Sequence, residues 1–152
     1  MKQFVILLAL AFGLLTPVAA QSTQAGGKKN QYTVTATSET YLTDATDNFK
    51  FNSWQKTGSG ESLIIIDWEK GVIEFNDHGA AYEGPYFIAS TGEPYKDAHG
   101  RISVKLGISE GYDDEGTYFI ISVTEGDSVK EMKKGFLYQV FSEDVFGFEI
   151  SK

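Results

Sequence analysis

Residues 63 to 75 read LIIIDWEKGVIEF, and their reading decides the fold. The period of two of an extended chain places Ile64, Ile66 and Trp68 on one face and Leu63, Ile65 and Asp67 on the other. After Glu69-Lys70-Gly71 the chain resumes with Ile73 and Phe75 in the same alternation. A short loop with glycine last suits a bulged hairpin, because glycine takes a positive φ there at little cost. Such a turn pins the register of the pair, and a slip of one residue would move every apolar side chain to the wrong face.

The same pattern extends in both directions. Strands are expected at 31–38, 48–54, 62–68, 71–76, 80–90, 101–109, 116–124, 135–141 and 145–151, separated by Gly-, Asn- and Asp-containing turn signals. Ile102, Val104, Leu106 and Ile108 alternate with Ser103, Lys105 and Gly107, and Phe146, Phe148 and Ile150 repeat the pattern near the C-terminus. The one helix candidate, 128–134, has Ser128 three residues before Glu131, the spacing of a capping box, and Gly135 beyond it. The expected fold is therefore all-β: an antiparallel up-and-down meander of eight or nine strands with at most one short helix. A closed barrel is preferred to a two-layer sandwich, because closure removes the sheet edges that would otherwise invite strand addition.

The first twenty of the 152 residues form an export signal, with Lys2 at its start, an apolar run from Phe4 to Leu15 and small residues up to Ala20, where cleavage is expected. That run is too short to cross a bilayer, for which ~20 residues are needed. Residues 21–30 are a flexible lead-in, and 31–152 make a single β domain that is secreted, periplasmic or extracellular. The net charge of -8 argues against nucleic acid and against anionic membrane surfaces, both of which call for clustered Lys and Arg. No cysteine is present, which excludes disulfides, thiolate metal sites and cysteine nucleophiles. The sequence leaves the oligomeric state open.

Strand count and layout over 31–152, together with an early tryptophan in NFKFNSW, resemble the small secreted lipocalin-like barrels of the calycin type. Asn52 stands where those families carry the glycine of Gly-x-Trp. The resemblance implies a cup that carries a small apolar or aromatic ligand, and it transfers no individual residue.

The residue types that carry chemistry read mostly as turns. His78 in NDHG and His99 in DAHG sit in good turn sequences and are expected at opposite ends of the strand between them, about 30 Å apart, too far to share a metal. The acidic loop 110–116 (Glu110, Asp113, Asp114, Glu115) lacks the spacing of a calcium loop and reads as an exposed hairpin tip. KTGSGES, 56–62, is not a phosphate loop, and no Gly-x-Ser-x-Gly elbow occurs. No catalytic residue, metal or cofactor is therefore assigned.

The aromatic surplus is more telling, because tyrosine and tryptophan combine an apolar body with a polar tip and favour binding faces. Trp54, Trp68, Tyr82, Tyr86, Tyr118 and Tyr138 are the candidate ligand-binding residues, with the strand at 80–90, bent at Gly84-Pro85, as a ligand-facing wall. The expected function is non-catalytic binding of a small apolar or aromatic ligand, or a saccharide. The alternative is an interaction or adhesion module that meets an envelope protein through its sheet face or hairpin loops. An open interior would favour the first and a filled interior the second.

Overall fold

The computed structural model describes residues 30–41, 49–58, 62–77, 85–109 and 116–152. Ten strands are present among them: β1 (Gln31–Tyr41), β2 (Gln55–Lys56), β3 (Ser62–Asp67), β4 (Val72–Asp77), β5 (Tyr86–Thr91), β6 (Tyr95–Lys96), β7 (Ile102–Ile108), β8 (Tyr118–Glu125), β9 (Lys134–Phe141) and β10 (Asp144–Ser151). Eight of them run antiparallel in the order β10-β9-β8-β7-β5-β4-β3-β1, and β1 returns to β10 to close a barrel. The two short strands lie off this ring, β2 against β1 and β6 against β7.

The hairpin of residues 63 to 75 pairs Ile64 with Phe75, Ile66 with Ile73 and Asp67 with Val72. Its connection is one residue longer than expected, because Trp68 leaves the strand and joins the turn. Asp67 explains this: its Oδ1 accepts the backbone N–H groups of Glu69 and Lys70, both at 3.0 Å, and this side-chain turn ends the ladder early. Gly71 has a φ of +65°, the conformation for which glycine was expected.

The closing seam carries a bulge. Val34 pairs with Ile150, but Ala36 pairs with Glu149, so β1 holds one residue more than its partner between those points. Residues opposite each other across a ladder share a face. Tyr32 and Val34 therefore lie inside with Ile150, whereas Ala36, Ser38 and Thr40 lie outside with Glu149, Gly147 and Val145. One strand thus serves the interior with its first half and the exterior with its second.

Two apolar clusters result. The inner one joins Tyr32, Val34, Ile64, Ile66, Ile73, Tyr86, Val104, Leu106, Phe119, Ile121, Leu137 and Ile150, with Trp68, Phe75 and Phe148 against it. Its rings meet across the barrel: Phe75 of β4 lies 6.0 Å from Phe119 of β8 and 5.2 Å from Phe148 of β10, and Tyr86 of β5 lies 5.2 Å from Phe119. Two interior polar side chains are paired, Gln139 Nε2 donating to Tyr86 Oη at 3.1 Å and Tyr32 Oη donating to the Met132 carbonyl at 3.2 Å. Burial pushes the Tyr32 phenol up to about 12, so it stays a donor throughout the neutral range. Described side chains of β4, β5, β8 and β10 thus pack together in the barrel interior, where a ligand cup was implied. The outer cluster, Ile120, Tyr138, Val140 and Val145 with Phe49, Phe51, Tyr118 and Phe136, lies on the opposite face of β8, β9 and β10.

Three sequence expectations change. Residues 49–54, within the strand expected at 48–54, form no strand, and only Gln55 and Lys56 pair with β1. The strand expected at 80–90 is β5 from Tyr86 onward, and residues 80–84 lie outside the described residues. The helix expected at 128–134 is a single 3-10 turn, Val129–Glu131, and Ser128 makes no side-chain capping bond. Gly135, expected to end that helix, belongs to β9, since the long β8–β9 ladder takes up the chain from Lys134. Among the described residues no helix is long and apolar enough to cross a membrane.

Because Phe119 is fully buried between Phe75 and Tyr86, Phe119→Ala is expected to lower stability by about 3–5 kcal/mol in denaturant titrations monitored by circular dichroism.

Candidate functional site

The outward half of β1 holds a strap. Thr40 Oγ1 donates to the Lys50 carbonyl at 3.0 Å, Ser38 Oγ donates to the Ser53 carbonyl, and Thr57 Oγ1 donates to the Val34 carbonyl. These bonds draw residues 49–57 across the outside of the barrel wall. Alternation along the strap turns Phe49 and Phe51 toward the wall, where Phe51 stacks on Tyr138 at 5.5 Å and 15°, and Trp54 meets Phe136 at 5.3 Å. Phe136 and Tyr138, two residues apart on β9, are 5.9 Å apart and nearly parallel at 4°. Gly147 of β10 makes the close approach feasible: a Cβ there would stand 2.8 Å from Phe51 Cζ and 2.9 Å from Trp54 Cη2.

Facing the strap is the turn between β6 and β7. Asp97 organises it. Its Oδ1 accepts the backbone N–H groups of His99 (2.8 Å) and Arg101 (2.9 Å), and its Oδ2 accepts Arg101 Nε at 2.6 Å. Gly100, at a φ of +73°, donates its N–H to the Asp97 carbonyl at 2.9 Å. The turn reading of DAHG therefore holds, with glycine in the left-handed position. Both charged side chains are largely buried, 12% exposed for Asp97 and 19% for Arg101. Burial alone would raise the Asp97 carboxyl, but the Arg101 and His99 N–H groups and the guanidinium outweigh it and hold it below the usual carboxylate range. Below Asp97, Ser103 and Ser122 share a buried hydrogen bond of 2.7 Å between β7 and β8.

Arg101 links the two halves. Its guanidinium lies 4.8 Å from the centre of the Phe136 ring, and its charge acts on the Tyr138 phenol. Burial raises the Tyr138 phenol above its ordinary value, and Arg101 partly offsets that. Between strap and turn runs a groove of about 550 Å³, lined by Phe49, Lys50, Phe51, Trp54, Ala98, His99, Arg101, Phe136 and Tyr138. A small recess continues it toward Tyr95, Asp97, Ile120 and Ser122. The volume falls within the range of small-molecule sites, roughly 300–1,000 Å³. Trp54, 37% exposed, presents the open ring of the groove.

Two of the six aromatic residues expected to bind ligand, Trp54 and Tyr138, come together here. Trp68 and Tyr86 belong to the inner cluster instead, since their alternation places them on the barrel's inside. Tyr118 packs on the outer cluster with Lys105 Nζ 3.6 Å from its ring centre, away from the groove lining. Tyr82, His78 and residues 110–115 of the acidic loop lie outside the described residues. The sequence reading missed Phe49, Phe51, Phe136, Lys50 and Arg101. The alternating apolar faces of both NFKFNSW and GFLYQVF were visible, but nothing local says that one covers the other. Among the described residues no three His, Asp or Glu side chains gather as a metal would require. No family model, curated protein or solved structure matches the chain.

Two outcomes follow from this geometry. Gly147→Ala is expected to cost about 1–3 kcal/mol and to shift the tryptophan emission, because the new methyl group displaces Phe51 and Trp54. Since the Asp97 carboxyl is lowered in the folded chain, its stabilisation is complete above the ordinary value of about 3.9 and is lost as pH falls through the lower folded value. Melting temperatures measured from pH 2 to 6 should fall at the acid end, and Asp97→Asn should lie below the parent at pH 6 and run flatter.

Proposed function

We propose that this protein is an exported, non-catalytic binding protein whose ligand, a small aromatic molecule or a saccharide, seats on the outside of the barrel, in the groove between the 49–57 strap and the Asp97–Arg101 turn. The observation that carries the reading is the groove itself: a concavity of about 550 Å³ with the Trp54 ring open at its side and polar groups of His99, Arg101 and Lys50 around it. Stacked rings fixed by the wall provide a flat apolar floor, and a few convergent donors supply orientation. The packed barrel interior supports placing the ligand outside.

A second reading, docking of an envelope protein on the sheet face or loops, draws on that same filled interior and on two exposed rings, Tyr41 at 66% and Phe87 at 53%. The concave shape at Trp54 favours the small ligand.

Calorimetric titration of the protein with a panel of aromatic and saccharide ligands should find at least one that binds. Trp54→Ala should weaken that ligand by at least about tenfold, as truncating an aromatic anchor usually does, while the inner Trp68→Phe leaves it unchanged. Binding indifferent to Trp54 would remove the groove as the seat.

A further inference from the structure

The groove has a charge character opposite to that of the chain. The protein carries a net charge of -8, yet among the described residues the groove lining holds Lys50, His99 and Arg101 and no carboxylate. Asp97 lines the adjoining recess, and its oxygens are engaged by Arg101, His99 and Ser103. Resting on the groove as the ligand seat, we infer that its ligand is an acidic saccharide, recognised by the Trp54 ring on its sugar face and by Arg101 and Lys50 at a carboxylate.

Arg101 is prepared for that role. A guanidinium has five N–H donors in a rigid plane. Nε is committed to Asp97 at 2.6 Å, and the N–H groups on the terminal nitrogens remain to meet a ligand. The Asp97 contact and the Phe136 ring at 4.8 Å fix the orientation of the plane. A planar fork held in advance matches a carboxylate and loses little rotamer freedom on binding. Lys50, exposed on the strap, adds a second, mobile cation to the same groove.

The sugar part follows from the rings. Aromatic faces are electron-rich and attract positively polarised edges, which the C–H groups of a pyranose ring present. Trp54 stands 5.3 Å from Phe136 at 52°, which holds its exposed ring at a fixed tilt to the wall. The groove, at about 550 Å³, is far larger than an inorganic anion needs.

The test is calorimetric titration of the whole protein at low salt with oligogalacturonate, oligomannuronate and their fully methyl-esterified, uncharged counterparts. The expected result is that at least one free acid binds at least about tenfold tighter than its ester, the usual weight of charge-assisted hydrogen bonds. Lys50→Gln and Arg101→Gln should each weaken the acid and leave the ester unchanged, and added salt should act in the same sense. Lys50→Gln alters only an exposed side chain and so keeps the test independent of folding at the Asp97 turn. Equal binding of acid and ester, with Trp54→Ala weakening both, would overturn the charge inference and leave the groove as the seat. Binding of none of the four would overturn the acidic-saccharide inference, while the groove as the seat is decided separately by the aromatic and saccharide panel with Trp54→Ala.

Discussion

The ladder between β1 and β10 is the constraint on which the rest of the molecule depends. It closes the ring, and without it β1 and β10 would each present an unpaired edge. The extra residue at Thr35 gives the ladder a second consequence. By changing the facing of β1 part-way along, the bulge keeps Tyr32 and Val34 in the interior and releases Ser38 and Thr40 to the exterior, where their hydroxyls hold the backbone of the strap. Closure and strap therefore come from the same strand. A straight β1 would have turned those hydroxyls into the barrel and left the 49–54 rings without an anchor.

The strap explains why so aromatic a chain can be a small barrel. Strand β9 is buried on both faces, Leu137 and Gln139 inward and Tyr138 and Val140 outward, which is unusual for a sheet exposed to water on one side. Phe49, Phe51 and Trp54 are the covering layer, and Gly147 is the gap into which they settle. The groove has its floor in this second layer. Its opposite wall is a turn held by one carboxylate with several backbone and side-chain donors, an arrangement that fixes a loop without disulfides. A rigid floor and a clamped turn are what a pre-formed ligand seat calls for.

The packed interior moves the functional question from the inside of the barrel to its outside. Layout agrees with the lipocalin-like barrels in strand order and closure, but the early tryptophan that contributed to the likeness is on the strap, not on a barrel strand. The inner tyrosine Tyr86 bonds Gln139 within the core. Among the described residues one buried side-chain group there has no hydrogen-bond partner, the indole N–H of Trp68.

Local rules were sufficient for the strands, because the period-two alternation of LIIIDWEKGVIEF, RISVKLGIS and VFGFEIS is written in adjacent residues and survives in β3, β4, β7 and β10. They were sufficient for Gly71 and for Gly100 after Asp97, since the turn chemistry of Asp and Gly acts within a few positions. They misread NFKFNSW as a strand, because a strap with every second ring facing a wall has the same period as a strand facing a core. They could not separate Trp54 and Tyr138 from Trp68 and Tyr86, all aromatic and all in apolar patterns. Which face of a strand looks inward, and which distant segment covers the other, depends on ring closure and on one extra residue at Thr35. Those are properties of the whole ladder, formed by residues more than a hundred positions apart, and no window of sequence contains them.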